Sequence, residues 1–259
     1  MRPPSPLLRA KQLFALRHNL HDYRSPLSGR FVVFSQSRSG SSLLAELLDH
    51  HPEIDCAAEI YRLGPAFPHA YRHAEERVSE APVFGFKLQV HHLDNELRLR
   101  PAEIERFIER LAAERYKFIY LKRENSLRQV VSDLLRRAGG PTYLRSNEAS
   151  TVTRLRVDVD KVMKRLEVRG YYWQLAERLL EPTEHIDLSY ETDLQEQSAQ
   201  QPTLDRVFAF LGLPSAAVAT TMRRINAKPL SDLIDNYEEL QAALTATPWQ
   251  DQLAERQVT

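Results

Sequence analysis

The chain has 259 residues, 42% of them hydrophobic, and it carries 35 basic and 35 acidic residues. This length and hydrophobic content are typical of a folded protein with one large domain or two small ones, and they exclude a disordered chain. The balanced charge argues against a general nucleic-acid-binding protein, which usually has a clear basic excess, so we expect no nucleic-acid partner.

The single cysteine, Cys56, excludes an intrachain disulfide framework, which makes a reducing cytosol the simplest compartment. No apolar run of the sequence approaches the roughly 18 residues that are needed to span a bilayer. Arg9 and Lys11 interrupt the apolar residues near the N-terminus, unlike the continuous apolar region of a secretory signal peptide. The sequence therefore predicts a cytoplasmic protein without a transmembrane segment.

Residues 1–28 mix prolines, basic residues and leucines, and we predict a partly helical N-terminal extension there. Leu8, Leu13 and Leu16 would lie on one helical face, which either packs back on the domain or makes weak contact with a membrane surface. The remainder, 29–259, contains neither an internal repeat nor an obvious linker. We therefore predict one domain over 29–259.

Strand patterns alternate with helix patterns along this domain. The predicted strands are Phe31–Phe34, Val83–Val90, Phe118–Leu121 and His185–Tyr190. The predicted helices contain Leu43–Leu48, Pro101–Leu111, Leu127–Leu135, Val162–Leu179 and Leu204–Leu211. This alternation predicts a three-layer, P-loop-like α/β domain, with a central parallel sheet of about five strands flanked by helices. The polar stretch at 141–155 has no clear period and is predicted to be a lid or binding loop.

The loop Gln36–Ser42, between the first strand and the first helix, has the layout of a phosphate-binding turn. The N–H groups and the dipole of a helix N-terminus favour an anion at this place. Gly40 allows the backbone to approach the anion closely, and the guanidinium of Arg38 suits phosphate or sulfate oxygens. The loop also offers hydroxyl donors on Ser39, Ser41 and Ser42.

This loop differs from a Walker A loop, which reads GxxxxGK[ST]. Gly40 is followed by Ser41 instead of lysine, the cation is Arg38, and the opening glycine is missing from the loop that begins at Gln36. No predicted strand ends in an acidic residue that would hold magnesium. An ATP or GTP hydrolase is therefore disfavoured and no metal is expected. A small-molecule kinase of the P-loop class and a non-catalytic nucleotide-binding protein of the same fold stay open as alternatives.

Two segments resemble the sulfotransferases that use PAPS (3'-phosphoadenosine-5'-phosphosulfate). SQSRSGSSLLAELLDHHPEI is similar to their 5'-phosphosulfate-binding segment, and its Arg-Ser-Gly-Ser-Ser form is closest to the carbohydrate branch. YLKRENSLRQVVSDLL resembles the segment of bacterial sugar and lipid sulfotransferases that binds the 3'-phosphate, with Arg123 and Ser132 in the matching positions. The resemblance implies PAPS as donor, 3',5'-ADP as product, and donor contacts from Arg38 to Leu43 and from Arg123 and Ser132.

Transfer of a sulfuryl group to a hydroxyl requires a base that accepts the hydroxyl proton. Glu59 is the candidate, because carbohydrate-type relatives place their catalytic glutamate in this neighbourhood. His91 and His92 follow the second predicted strand and are the alternatives. Lys87 lies within that strand, where a charge is seldom idle, so we expect it to face the sulfuryl group or the acceptor. Arg38 is expected to stabilise the charge that develops on the leaving oxygen.

Sulfotransferases often contact the 3'-phosphate from a basic loop late in the chain. Lys228 or Arg224 is the candidate here, although the familiar Arg-Lys-Gly form of that loop is absent. The resemblance implies in-line sulfuryl transfer to a hydroxyl acceptor, such as a sugar, a glycolipid or a small natural product. The acceptor walls are predicted at 62–82 and 141–160, whose residues do not identify the acceptor. The oligomeric state is likewise not readable.

Overall fold

A computed structural model describes residues 27–140, 144–145, 154–223 and 228–253 of the chain. The strands are β1 (Gly29–Ser35), β2 (Ile54–Ala57), β3 (Val83–Gln89), β4 (Tyr116–Lys122), β5 (Leu144–Arg145), β6 (His185–Ser189) and β7 (Met222–Arg223). The helices are α1 (Ser41–Asp49), α2 (Pro68–Val78), α3 (Pro101–Ala113), α4 (Ser126–Arg137), α5 (Val159–Leu180), α6 (Gln197–Leu211), α7 (Leu230–Leu233) and α8 (Tyr237–Leu244). Short π-helical turns follow β3 and β6, at His92–Glu96 and Tyr190–Leu194.

The central sheet has five strands in the order β2-β3-β1-β4-β6, and all neighbouring pairs are parallel. Helices cover both of its faces, so the predicted α/β fold with a parallel sheet of about five strands is confirmed. Because the strands are parallel, their carboxyl ends share one edge of the sheet, where ligands of such folds bind. The short strands β5 and β7 form a separate antiparallel pair.

The two sides of β1 belong to two different hydrophobic cores. Phe31 and Val33 pack with residues of α1 and α6, whereas Val32 and Phe34 pack with residues of α3 on the other face. This alternation is the period of two that a strand imposes on its side chains. Gly85 of β3 makes room for the ring of Phe31, since a Cβ at Gly85 would lie 2.1 Å from Cζ of that ring.

A third hydrophobic cluster contains no strand residue and joins α4, the first half of α5 and the C-terminal helices α7 and α8. Leu127, Val131, Leu166, Leu233 and Leu240 are all buried in it. We call these four helices the helical cap. Because α4 begins directly after the carboxyl end of β4, the cap forms one wall of the space above that edge of the sheet.

Two elements between the first helix and Val83 were not predicted from the sequence. Strand β2 has only four residues and carries Asp55, so its pattern is weak, and β3 is consequently the third strand instead of the second. Helix α2 was missed because it buries Arg72 and Glu76 in place of an apolar stripe. Glu59 follows β2 and therefore lies at the carboxyl edge of the sheet.

Some predictions lie outside the described residues. They include the helix within residues 1–26, most of the polar stretch at 141–155, and Arg224. Within the described part of the chain, no helix combines the length and the apolar character that crossing a membrane requires.

Candidate active site

The loop between β1 and α1 adopts a backbone conformation that suits an anion-binding turn. Arg38 and Gly40 have φ angles of 65° and 94°, and α1 begins at Ser41. The N-terminus of α1 therefore opens toward the carboxyl edge of the sheet. A Cβ on Gly40 would lie 2.4 Å from Cδ2 of Tyr190, so both the φ angle and the contact with Tyr190 require glycine.

Arg38 connects the two sequence motifs. Its Nε donates a hydrogen bond to Oγ of Ser132 at 3.0 Å, and its carbonyl oxygen accepts one from Nη1 of Arg123 at 2.9 Å. Burial lowers the pKa of Arg38, with a further contribution from the nearby guanidinium of Arg136. The structure thus brings Arg38, Arg123 and Ser132 together in one site.

Arg123 is held by the turn that follows β6. Its guanidinium carbon lies 4.8 Å from the centre of the Tyr190 ring, in a cation–π arrangement, and its Nε lies 3.8 Å from Oε1 of Glu191. Glu191 also accepts hydrogen bonds from the backbone N–H groups of Glu124 and Asn125 at the start of α4. These contacts fix the strand–helix junction that carries Arg123.

Arg169 of α5 supports the phosphate loop from the opposite side. Its guanidinium donates to the carbonyl oxygen of Ser37 at 2.8 Å and to Oγ of Ser37 at 3.2 Å. Gln36 returns a hydrogen bond from its Nε2 to the carbonyl oxygen of Arg169 at 3.0 Å. Burial lowers the pKa of Arg169 to about 10, and the neighbouring guanidinium groups of Arg123 and Arg165 add to that effect.

Glu59 lies beside the loop and is linked to it by Lys87. Oε1 of Glu59 accepts a hydrogen bond from Nε2 of Gln89 at 2.7 Å and lies 3.3 Å from Nζ of Lys87. Nζ of Lys87 also donates to Oγ of Ser42 at 3.0 Å. Oε2 of Glu59 lies 3.8 Å from Nε2 of His92, which is longer than a hydrogen bond. Oε1 is therefore held by two partners, whereas Oε2 faces the imidazole of His92.

His91 and His92 lie on the same wall as Glu59. Burial lowers the pKa of both imidazoles, that of His92 to about 3. Nδ1 of His92 accepts a hydrogen bond from the backbone N–H of Gln89 at 3.4 Å, which assigns the proton of the neutral ring to Nε2. Together with Glu96, the two histidines offer possible metal-ligand atoms within 4.8 Å of one another.

Most of these groups line one cavity of about 670 Å³, which lies between the carboxyl edge of the sheet and the helical cap. Among the described residues that line it, the arginines outnumber the carboxylates. The arginines are Arg38, Arg62, Arg123, Arg128, Arg136, Arg137, Arg165 and Arg169. The carboxylates are Glu59, Glu96 and Asp133. The volume and the cationic lining suit a small polyanion.

Three predicted site residues lie away from the cavity surface. Ser39 is fully buried and does not line the cavity. Lys87 is also buried and does not line the cavity, but it reaches the site through Ser42 and Glu59. Lys228 is exposed and is not part of the lining, although its carbonyl oxygen accepts a hydrogen bond from Arg128.

The other predicted donor-site residues, Arg38, Gly40, Ser41, Ser42, Leu43, Arg123 and Ser132, line the cavity, as does the candidate base Glu59. Neither Gln89 nor Arg169 was predicted from the sequence to be a site residue. Gln89 lies near the end of a predicted strand, so its place at the carboxyl edge of the sheet could have been predicted from the sequence. Arg169 sits within a helix more than 100 residues after the loop, and no local pattern connects the two.

Comparison with known proteins supports the fold. No protein-family model matches the chain, and no curated protein shows significant sequence similarity to it. The structure resembles that of a sulfotransferase from Alicyclobacillus acidocaldarius, with a TM-score of 0.50 and 15% sequence identity over 89% of this chain and 95% of that chain. It also matches a mouse sulfotransferase, SULT7A1, in complex with PAP, with a TM-score of 0.44 and 18% identity over 83% of this chain and 67% of that chain. At this identity, the first similarity establishes a shared fold.

Proposed function

We propose that this chain is a sulfotransferase that transfers a sulfuryl group from PAPS to a hydroxyl acceptor. The observation that carries the proposal is the chain of contacts from the phosphate loop through Ser42 and Lys87 to Glu59. These contacts link the anion-binding turn to the carboxylate of Glu59 through a single buried side chain, that of Lys87. The shared fold with a sulfotransferase supports the same function.

The donor fits the cationic side of the cavity. We assign the phosphosulfate to the N–H groups at the start of α1 and to Arg38, because a helix N-terminus and a guanidinium both stabilise oxyanions. We assign the 3'-phosphate to Arg123 and Ser132, which both contact Arg38. Tyr190 lies against Gly40 and Arg123 and offers an aromatic face on the same side of the cavity.

PAPS supplies the sulfuryl group: the acceptor oxygen bonds to sulfur while the bond from sulfur to the phosphate oxygen breaks, and that oxygen leaves with its electron pair on 3',5'-ADP. Oε2 of Glu59 takes the acceptor's hydroxyl proton. Lys87 and Gln89 hold Oε1, so the carboxylate keeps one orientation throughout the step. Arg38 stabilises the negative charge on the leaving oxygen, an effect worth roughly 100- to 1000-fold in rate for a single donor of this kind.

The alternative bases are less suited to this role. Nδ1 of His92 accepts the N–H of Gln89 and its Nε2 carries the proton of the neutral ring, so neither nitrogen is free to take the acceptor's proton. Burial also lowers the pKa of both His91 and His92, which weakens them as bases. Glu59, with a partly exposed carboxylate on the cavity wall, remains the preferred base.

The resemblance of the loop to the carbohydrate branch favours a sugar, a glycolipid or a small natural product as acceptor. We propose the cytoplasm as the compartment, on the evidence of the single cysteine. The reaction needs no metal ion, because Arg38 supplies the positive charge that magnesium supplies in phosphoryl transfer.

A calorimetric titration with three nucleotides tests the proposal. We expect 3',5'-ADP to bind without magnesium, and 5'-AMP to bind at least about tenfold more weakly, because it lacks the phosphate that Arg123 and Ser132 would hold. Arg123→Gln should remove most of this difference. Tighter binding of ATP with magnesium than of 3',5'-ADP would instead favour a kinase and overturn the proposal.

A further inference from the structure

The helical cap carries positive charge that the donor contacts described above do not use. Asp133 of α4 pairs with three guanidinium groups, those of Arg136 at 3.2 Å, Arg137 at 2.7 Å and Arg165 at 2.8 Å. All four residues line the cavity. One carboxylate facing three guanidiniums leaves an excess of two positive charges on this wall.

The arginines of this cluster are not equally placed. The side chain of Arg137 is 59% exposed and faces solvent, whereas those of Arg136 and Arg165 are 40% and 35% exposed. The pKa of Arg38 is lowered mainly by burial and further by the guanidinium of Arg136, so Arg136 lies close enough to the phosphate loop to act on its charge. Arg136 and Arg165 are therefore the pair best placed to meet a ligand.

Helix α5 connects this cluster to the wall that carries the candidate base. Arg165, Arg169 and Tyr172 follow one another at helical spacing and share the cavity face of α5. The hydroxyl of Tyr172 donates to Oδ2 of Asp94 at 2.7 Å, and its ring centre lies 6.4 Å from that of His91. Tyr172 lies about two helical turns after Arg165, so this face of α5 runs from the arginine cluster to the wall that carries His91 and Glu59.

The spacing along α5 sets the size of a ligand that can contact Arg165 and also reach the phosphate loop. Arg165 is one helical turn from Arg169, or about 6 Å along the helix axis. Arg169 contacts the phosphate loop through Ser37. An anion bound at Arg165 thus lies about one helical turn from the arginine that contacts the phosphate loop, a separation that one small molecule can bridge.

We propose that Arg136 and Arg165, oriented by Asp133, form an oxyanion subsite for an anionic group of the acceptor. The inference rests on the proposed function, in which the phosphate loop and the Arg123–Ser132 pair hold the two anionic ends of the donor. The acceptor is then a hydroxyl compound that already carries a sulfate, phosphate or carboxylate group. Guanidinium groups bind all three oxyanions by charge-assisted hydrogen bonds.

The test is to titrate the protein, saturated with 3',5'-ADP, with inorganic sulfate, inorganic phosphate and acetate, and to follow binding by NMR. We expect saturable binding of at least one of the three anions, and the anion bound most tightly identifies the acceptor group. Arg136→Gln and Arg165→Gln should each weaken this binding about tenfold, whereas Arg165→Lys should retain part of it. The matched control is Arg178→Gln, since Arg178 is an exposed arginine of α5 away from the cavity lining.

Several results would overturn the subsite. It is wrong if 3',5'-ADP abolishes anion binding in the wild type, or if Arg165→Gln weakens 3',5'-ADP as much as it weakens the anion, because the arginines then serve the donor. Absence of saturable anion binding also excludes it. If 3',5'-ADP itself does not bind, the proposed function fails separately. Sulfate titration without nucleotide then compares Arg165→Gln with Arg38→Gln, and a loss of binding in Arg38→Gln alone contradicts the subsite.

Discussion

The ammonium group of Lys87 lies 3.3 Å from Oε1 of Glu59, and both side chains are at least three-quarters shielded from solvent. The same ammonium group donates to Ser42 in the first turn of α1. A displacement of the phosphate loop therefore moves the partner of the candidate base. Single substitutions can therefore test this link between the phosphate loop and the candidate base.

The first prediction concerns Glu59→Gln. Glutamine keeps the size of the side chain and can still contact Lys87 through its amide oxygen, but it cannot take the acceptor proton. Turnover should fall by about 100- to 1000-fold, while the affinity for 3',5'-ADP changes little. Calorimetry and a PAPS turnover assay measure the two quantities, with the exposed Glu177→Gln as control. Turnover that stays at the wild-type level would assign the base to His91 or His92.

The second prediction concerns Ser132→Ala, which removes the hydroxyl that accepts from Nε of Arg38. We expect 3',5'-ADP to bind roughly tenfold more weakly and 5'-AMP to bind with unchanged affinity, because only the former has a 3'-phosphate. Calorimetry of both nucleotides is the measurement. Ser215→Ala, on the exposed segment after α6, is the control. Equal losses for both nucleotides would show that Ser132 does not contact the 3'-phosphate.

The third prediction compares two glycines with left-handed backbone. Gly40 and Gly139 have φ angles of 94° and 99°, but only at Gly40 would a Cβ meet a neighbour, namely Tyr190. Gly139→Ala should cost about 1–2 kcal/mol of unfolding free energy from backbone strain alone. Gly40→Ala should cost more and should also weaken 3',5'-ADP binding. Urea denaturation measures the unfolding free energy of both variants, and calorimetry measures their affinity for 3',5'-ADP. Similar losses in both variants would mean that Tyr190 does not pack tightly on the loop.

The fourth prediction concerns pH and His92. Burial lowers the pKa of His92 in the folded protein to about 3, below the value of about 6.5 in the unfolded chain. Between these two pH values the unfolded state binds the extra proton, so the folded state loses stability as the pH falls. The slope from this residue reaches at most about 1.4 kcal/mol per pH unit.

His92→Asn isolates this contribution, because its Oδ1 can replace Nδ1 as the acceptor of the Gln89 N–H. Urea denaturation at pH 5 and pH 7 should show a smaller difference in unfolding free energy for the variant than for the wild type. The same difference in both proteins would mean that folding does not lower the pKa of His92.

The fifth prediction concerns metal dependence. His91, His92 and Glu96 are grouped closely enough to attract a divalent cation, but the proposed chemistry relies on Arg38 instead. Treatment with EDTA followed by dialysis should leave the rate of PAPS turnover within about twofold, since the charge on the leaving oxygen is neutralised by guanidinium. A loss of turnover that zinc or magnesium restores would assign a role to this group.

The sequence predicted those parts of the molecule that depend on local patterns. Strand β1, the phosphate loop and α1 follow from a short apolar run, a small-residue turn and helical spacing. The contact of Arg38 with Ser132 was not predicted, although both residues follow parallel strands whose carboxyl ends share an edge.

Other parts depend on tertiary contacts that leave no local pattern. Helix α2 packs Arg72 and Glu76 inside the protein, where they pair with each other, so the usual apolar periodicity is missing. Arg169 reaches Ser37 only because α5 crosses above the loop. Strand β2 was not predicted either, because an edge strand of four residues gives a weak sequence pattern.

The most direct measurement offers the protein two donors at once, PAPS and ATP with magnesium, together with a pool of small hydroxyl acceptors that includes sulfated, phosphorylated and carboxylated sugars. Mass spectrometry then identifies the group that the acceptors gain. For the wild type we expect sulfated acceptors and an equal amount of 3',5'-ADP. Arg38→Gln should form both products at no more than about one hundredth of the wild-type rate. Phosphorylated acceptors formed from ATP, with PAPS left unconsumed, would contradict the proposed function.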